Sequence, residues 1–136
     1  MNNTRFATLI HILTLFAKHP DQWLSSDWIA ASIHINPVTV RRELSTLQRL
    51  GWVKSKKGKE GGSRLAVSSE AISIADIYTA VKRSNVLGKR NPCSKATCSI
   101  GRQINAQLEK LYDETDRKVV EVLQEGSLKT FADQFH

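Results

Sequence analysis

The segment HINPVTVRRELSTLQRLG, residues 34–51, specifies the start, the body and the end of one helix. Asn36 is a favoured N-cap, and Pro37 suits the first helical position because an N–H there would have no partner. Gly51 is a favoured residue just beyond a helix end, so we predict a helix from Pro37 to about Leu50. Apolar residues at three- and four-residue steps predict its buried face: Val40, Leu44 and Leu47.

Two further helices are predicted before this one. Apolar side chains that recur on one face predict a first helix from about Thr4 to Lys18, and the following His-Pro-Asp ends it. A second helix is predicted from about Ser26 to Ile33, with Ser25 or Ser26 as its N-cap. The short turn after it joins two helices as in a helix-turn-helix motif, whose second helix enters the major groove of DNA.

A β-hairpin is predicted directly after Gly51. Residues 52–55 and 63–67 are short extended segments, and a glycine- and lysine-rich tip separates them. Three helices followed by a basic hairpin is the element order of a winged helix-turn-helix. The predicted fold class is therefore mostly α with a small β-hairpin.

The positive charge is concentrated in the same region. The chain has 136 residues and a net charge of +7, of which residues 41–64 contribute +6. A local basic stripe indicates a polyanionic partner, usually nucleic acid. A solvated lysine-rich loop is the alternative explanation for the charge alone.

Outward-facing residues of the third helix and the hairpin are the candidate DNA contacts. Arg41 and Arg42 can each donate two hydrogen bonds to a guanine edge. Val38 or Thr39 can contact a thymine methyl group, whereas Arg49 and the hairpin lysines suit phosphate. The full candidate set is Val38, Thr39, Arg41, Arg42, Ser45, Arg49, Lys56, Lys57, Lys59, Gly61, Gly62 and Arg64.

The glycines and tryptophans of this region have competing explanations. Gly61 and Gly62 either let the backbone approach the sugar-phosphate edge or are turn glycines. Arg64, close beside them, suits a narrow minor groove. The three tryptophans are interpreted as structural rather than as base-stacking surfaces: Trp23, Trp28 and Trp52.

The C-terminal half predicts a dimerisation unit. Ser73 and Asp76 form a capping-box-like pattern at the start of a helix, and after a loop a long amphipathic helix spans about Ile100 to Glu125. Its apolar stripe needs a partner, and a two-fold dimer matches a palindromic operator. The predicted homodimer interface consists of Ile100, Ile104, Leu108, Leu111, Val119 and Val122.

These elements divide the chain into three predicted parts. Residues 1–83 form the winged helix-turn-helix with its following helix, and residues 84–99 form a cysteine-containing loop. Residues 100–136 form the dimerisation helix and a final short helix, for which Ser127 is the N-cap.

Composition and motif content exclude several classes of protein. No apolar run reaches about 18 residues, so we expect neither a membrane span nor a signal peptide. Two cysteines are too few for a disulfide framework, so we expect a cytoplasmic protein with reduced thiols. The sequence has no phosphate loop, nucleophile elbow, HExxH motif or paired catalytic carboxylates, so we do not expect an enzyme.

Several segments together resemble the Rrf2 family of bacterial transcription regulators. They are residues 36–42 (NPVTVRR), 61–66 (GGSRLA), 74–81 (IADIYTAV) and 98–101 (CSIG), and the resemblance covers nearly the whole chain. It implies a dimeric winged-helix repressor or activator with a crossed dimerisation helix. Several relatives hold an iron–sulfur cluster through three cysteines in the loop before that helix, with a further ligand.

The chain departs from this family pattern in its cysteines. Only Cys93 and Cys98 are present, and Ile104 stands where a third cysteine is expected. Clusters usually take four thiolates, so we expect no iron–sulfur cofactor, and a zinc site is equally short of ligands. His11 on the first helix is a possible extra ligand, but we interpret it as a histidine at the edge of a packed face.

Two kinds of signal stay open. Cations around the two cysteines favour thiolate, and Cys98, at a helix N-terminus, is the candidate nucleophile of a redox switch that Cys93 resolves. One alternative is that the two cysteines are incidental loop residues. The other is that a small effector, bound near this loop, is the signal.

The predicted function is a sequence-specific DNA-binding transcriptional regulator, a repressor that acts as a homodimer on a pseudo-palindromic double-stranded operator. The alternatives are an iron–sulfur regulator with non-cysteine ligands and a winged-helix protein-interaction module. A steep fall of affinity with salt distinguishes DNA binding from the latter.

Overall fold

A computed structural model describes residues 4–91 and 98–136 of the chain. In chain order the elements are α1 (Arg5–Lys18), α2 (Ser26–Ile33), α3 (Pro37–Arg49), β1 (Val53–Lys56), β2 (Gly62–Leu65), a 3-10 turn (Ser69–Ala71), α4 (Ile74–Val81), α5 (Ser99–Leu123) and α6 (Leu128–Ala132). The fold is mostly helical with one small sheet, as the sequence predicts.

The predicted caps delimit the two helices of the helix-turn-helix. The Ser25 hydroxyl accepts the backbone N–H of Trp28 at 3.1 Å at the start of α2. Asn36 Oδ1 accepts the N–H of Val38 at 2.8 Å at the start of α3. After α3, Gly51 has a φ of +80°, the left-handed conformation that favours glycine.

The turn between α2 and α3 holds a feature that the sequence does not signal. His34 has a φ of +63° and ends α2 in the left-handed conformation. Residues with left-handed backbone conformation are usually glycine or asparagine, so a histidine does not indicate this turn in the sequence. The predicted position of the turn is nevertheless confirmed.

The wing is an antiparallel hairpin with a third short segment beside it. Val53 pairs with Leu65 and Lys56 with Gly62, so the strands begin and end within two residues of the predicted bounds. Leu24, between α1 and α2, forms a bridge with Ser63 through hydrogen bonds of 2.9 and 2.8 Å. This bridge ties the base of the wing to the helical domain.

The core of the helical domain forms around α1. This helix contacts α2, α4, α6 and β2. Its fully buried apolar residues meet those of the other helices in one cluster that includes Leu9, Ile12, Leu13, Phe16, Ile29, Val40, Leu47, Ile77 and Leu128. The outward faces of α3 and the wing are thus held on a rigid base.

The C-terminal elements return to this base. Ser73 and Asp76 form the predicted capping box at α4, and the Ser127 hydroxyl accepts the N–H of Thr130 at 3.2 Å at α6. Leu128 N–H donates to the carbonyl of Ile72 at 2.8 Å, which fixes α6 beside the 3-10 turn. Among the described helices, none is long and apolar enough to cross a membrane.

Candidate nucleic-acid interface

The recognition helix α3 exposes most of its predicted contact residues. Val38 is 61% exposed. Thr39 is half-buried, whereas the remaining members of the set on this helix are exposed: Arg41, Arg42, Ser45 and Arg49. The first two turns of α3 therefore offer two arginines and two small side chains to a groove.

Contacts within the chain leave these arginines accessible. Arg41 Nη1 lies 3.9 Å from Asp27 Oδ1, and both side chains are more than half exposed, so this pair is weak. Arg49 Nη2 donates to the Thr46 hydroxyl at 3.2 Å. Within the described residues, no carboxylate lies within ion-pair distance of Arg42.

Sequence reasoning missed a buried acid on the inner face of α3. The side chain of Glu43 is 2% exposed, and Arg5 Nε donates to its two carboxylate oxygens at 2.9 and 3.2 Å. Arg5 also donates to the Thr46 hydroxyl at 3.3 Å. Glu43 follows Val40 by three residues and precedes Leu47 by four, a spacing that could have indicated its face.

Contacts within the fold explain why the wing has glycine at positions 61 and 62. A Cβ on Gly61 would lie 2.1 Å from the carbonyl oxygen of Lys56, and one on Gly62 would lie 2.6 Å from the backbone of Leu24. Gly62 also has a φ of +150°. Close approach of protein backbone therefore accounts for both glycines, and a role for them at a sugar-phosphate edge stays a prediction.

The wing cations lie at its exposed surface. Lys54, Lys56, Lys57 and Lys59 are exposed, and Arg64 is half-buried. The Arg64 guanidinium lies over the ring of Trp23, with Cζ 4.3 Å from the ring centroid. Trp23, expected to be only structural, thus contacts one of the candidate DNA-binding residues.

The described residues around the cysteines show one thiol and no metal-binding group. Cys98 is exposed and is the N-cap residue of α5, as predicted, and Cys93 lies outside the described residues. Where the structure describes the chain, no three His, Cys, Asp or Glu side chains are grouped to hold a metal ion. The whole chain has two thiols, so one chain alone cannot supply the four thiolates that an iron–sulfur cluster usually takes.

Among the described residues, His11 belongs to no group of three or more potential metal ligands. It is exposed on α1, where it lines an open groove of about 630 Å³ between α1 and α6. The other walls of the groove are largely apolar and include Ile10, Leu15, Phe131 and Phe135.

The predicted dimerisation stripe on α5 is partly covered by the chain itself. Leu108 and Val119 are half-buried, and α5 packs against α4. Four stripe residues are exposed in the single chain: Ile100 at 70%, Ile104 at 38%, Leu111 at 51% and Val122 at 63%.

One acidic residue of α5 is buried, whereas the other acidic residues of this helix are exposed. Asp116 is 8% exposed. Its carboxylate accepts the backbone N–H of Val86 at 2.9 Å and the Lys82 ammonium at 3.4 Å, and it contacts the Asn85 amide. The hydrogen bond from the Val86 backbone is the largest reason that the pKa of Asp116 lies below its ordinary value.

Comparison with known proteins agrees with this geometry. Residues 2–134 match the family model Rrf2, described as "Iron-dependent Transcriptional regulator". YwnA of Bacillus subtilis (strain 168), named as an HTH-type transcriptional regulator, is 33% identical over 129 residues, which cover 95% of each chain.

Two solved structures share the fold. CymR, the global cysteine regulator of B. subtilis, superposes with a TM-score of 0.74 at 21% identity and covers 100% of this chain and 98% of its own. IscR of T. potens gives a TM-score of 0.66 at 20% identity, covering 99% of this chain and 88% of its own. The family match spans nearly the whole chain and the exposed face of α3 is cationic, so the chain belongs to the Rrf2 family and is a DNA-binding transcriptional regulator.

Proposed function

We propose that the protein is a homodimeric repressor that reads a pseudo-palindromic operator with α3 and holds phosphates with the wing. The observation that supports this most is the continuity of the basic surface. Gln48 on α3 contacts Ser55 on β1, so the recognition helix and the lysine-bearing wing are neighbours. One helix would read bases while the adjacent hairpin tracks the backbone.

In this proposal Arg41 and Arg42 read guanine edges, and Val38 and Thr39 contact thymine methyl groups. The exposed lysines of the wing act as mobile point charges on phosphate. Arg64 enters or borders the minor groove.

Two features support a dimer, namely the small size of one recognition surface and the exposed stripe of α5. A single recognition helix contacts only a few base pairs, and two-fold symmetry doubles the site. The four exposed apolar residues of α5 give a second copy a surface to cover. We further expect the protein to act in the cytoplasm and to catalyse no reaction.

We propose that the chain works without an iron–sulfur cluster, since it has only two of the three loop cysteines with which the cluster-holding relatives bind theirs. Purification without oxygen, followed by an absorption spectrum and iron and sulfide analysis, tests this. A colourless, iron-free protein that still binds DNA is expected. Visible bands with stoichiometric iron would contradict the proposal and make His11 the first residue to replace.

The signal that we propose is oxidation of Cys98. Its thiolate attacks a peroxide oxygen and leaves a sulfenic acid while the peroxide is reduced to water. The Cys93 thiol then attacks that sulfur, a second water leaves, and an S–S bond forms. Cys98→Ser should abolish any effect of peroxide on DNA binding, and a retained effect would indicate an effector or another oxidised site.

The experiment that tests DNA binding is selection of duplexes from a random-sequence pool by the wild-type protein. Enrichment of a two-fold symmetric sequence is expected. A protein with six to ten phosphate contacts should lose about 10³–10⁵ in affinity between 50 and 200 mM salt. No enrichment and no salt dependence would favour the protein-interaction module.

A further inference from the structure

Trp23 lies at the base of the wing as part of its sheet. The neighbouring Leu24 exchanges two backbone hydrogen bonds with Ser63, at 2.9 and 2.8 Å. In an antiparallel pairing of this kind, the residue before Leu24 lies beside the residue after Ser63. The backbone therefore places Trp23 next to Arg64.

The Trp23 ring lies against two cations of the wing. The Arg64 Cζ is 4.3 Å from the ring centroid, and the Lys56 Nζ is 5.8 Å from it. Both distances are within the range of cation–π attraction, and tryptophan is the strongest aromatic partner.

The hairpin register gathers a third cation on the same face. Lys54 pairs with Arg64, and Lys56 lies two residues further along β1, so side-chain alternation puts all three on one side of the sheet. In the described parts of the chain, no carboxylate lies within ion-pair distance of any of them. For Arg64 and Lys56, the aromatic ring rather than an acid is the contact.

An arginine whose Cζ lies over an aromatic ring can keep the hydrogen-bonding edge of its guanidinium available. Guanidinium N–H groups lie in the plane of the group, so contact through its face leaves them pointing sideways. A phosphate can then accept from a group whose orientation is already fixed. Less side-chain entropy is lost on binding than for a freely rotating arginine.

We propose that Trp23 is a positioning residue for DNA binding, which orients Arg64 for contact with the DNA backbone at the wing. This inference rests on the proposed function. It differs from a structural role, in which Trp23 would affect affinity only by destabilising the fold.

A double-mutant cycle between Trp23→Leu and Arg64→Ala tests this inference. The probe is a duplex selected by the wild-type protein from a random-sequence pool, at fixed salt. Trp23→Leu should weaken binding by about three- to fivefold, the size expected for a partly exposed cation–π pair. In the Arg64→Ala background it should cause almost no further loss, because the residue that it positions is absent.

Two variants serve as controls for the cycle. Trp23→Phe keeps an aromatic face and should retain most of the affinity. Arg49→Ala, on α3 with its guanidinium on Thr46, should combine additively with Trp23→Leu. Thermal unfolding of every variant checks that the fold is intact at the assay temperature.

The possible outcomes separate the inference from the function on which it rests. A wild-type protein that selects no sequence would overturn the proposed function itself. The positioning role would be overturned, with DNA binding intact, by either of two results. The losses from Trp23→Leu and Arg64→Ala could be additive, or Trp23→Phe could bind as weakly as Trp23→Leu.

Discussion

Arg5 on the first turn of α1 holds Glu43 on the inner face of the recognition helix, with Nε 2.9 Å from one carboxylate oxygen and 3.2 Å from the other. The glutamate side chain is 2% exposed and the arginine side chain 27%. A carboxylate buried to this degree is stabilised only while its partner is present. The pair therefore acts together with the buried Val40, Leu44 and Leu47 to keep this face of α3 inward and its arginines outward.

Arg5→Ala should lower the free energy of unfolding by about 2 kcal/mol, because it leaves a buried carboxylate without this partner; the loss is smaller than for a fully buried pair because Arg5 is partly exposed. Replacing both residues, as Arg5→Ala with Glu43→Leu, should recover much of the loss, since no unpaired charge is then buried. Urea unfolding of the three proteins measures this. Equal stability of the single and double variants would show that the burial of the charge is not what costs stability.

Gly62 and Gly58 form a matched pair that separates backbone strain from crowding. Both have positive φ, +150° and +109°, but an added Cβ meets the Leu24 backbone at 2.6 Å only at Gly62 and nothing within 4 Å at Gly58. Gly58→Ala should cost about 1 kcal/mol of stability, from conformation alone. Gly62→Ala should cost about 3 kcal/mol, because the bridge between Leu24 and Ser63 must also open. Losses of similar size in thermal unfolding would contradict the crowding argument.

Local patterns were enough to predict most of the fold. The caps at Asn36, Ser73 and Ser127 and the stop at Gly51 are set by short-range hydrogen bonds and backbone conformation, so sequence spacing reveals them. The exposed face of α3 followed from helical periodicity in the same way. These features do not depend on which residues distant in the chain come together.

The features that sequence reasoning missed are contacts between distant segments. Arg5 and Glu43 are 38 residues apart in the chain, and Asp116 meets residues 82–86 of the preceding segment. Trp23 reaches Arg64 only because Leu24 joins the wing sheet. A single sequence carries no periodicity that relates such positions, so none of these contacts could be predicted from it.

Arg42 and Lys57 should affect DNA binding in different ways. Arg42→Ala should weaken binding to the selected duplex by about 1–3 kcal/mol and relax the preference at one base position. Lys57→Ala should weaken binding to all sequences alike and reduce the salt slope by about one. Affinities on the selected and on a random duplex, over a range of salt, measure both effects. Equal losses on the two duplexes for Arg42→Ala would refute base reading by this residue.

The exposed stripe of α5 predicts where a charge disrupts the dimer. Val122→Glu should shift the protein toward monomer because it places a carboxylate among apolar side chains at the interface. Arg117→Gln makes the same change in net charge about 150° around the helix from the stripe and should leave the dimer intact. Sedimentation equilibrium measures both, and a dimeric Val122→Glu protein would place the interface elsewhere.

Asp116 joins the middle of α5 to the segment that follows α4. The backbone N–H of Val86 and the side chains of Lys82 and Asn85 all point to its carboxylate. The Val86 hydrogen bond contributes most to lowering the pKa of Asp116 from its ordinary value of 3.8, and burial opposes it. The ionised form is thus the one that the fold stabilises.

The lowered pKa of Asp116 determines how its contribution to the free energy of unfolding depends on pH. A carboxyl whose pKa is lowered by folding adds stability that is fully present above its unfolded pKa, and this is lost as the pH falls through the folded value. Asp116→Asn should therefore lower stability by about 1–2 kcal/mol at pH 7, and the difference from wild type should shrink below about pH 4. Asp113→Asn, an exposed position on the same helix, is the control and should match wild type throughout. Urea unfolding from pH 7 to pH 3 measures the difference, and a constant gap between wild type and Asp116→Asn would mean that shape, rather than the charge, connects α5 to residues 82–86.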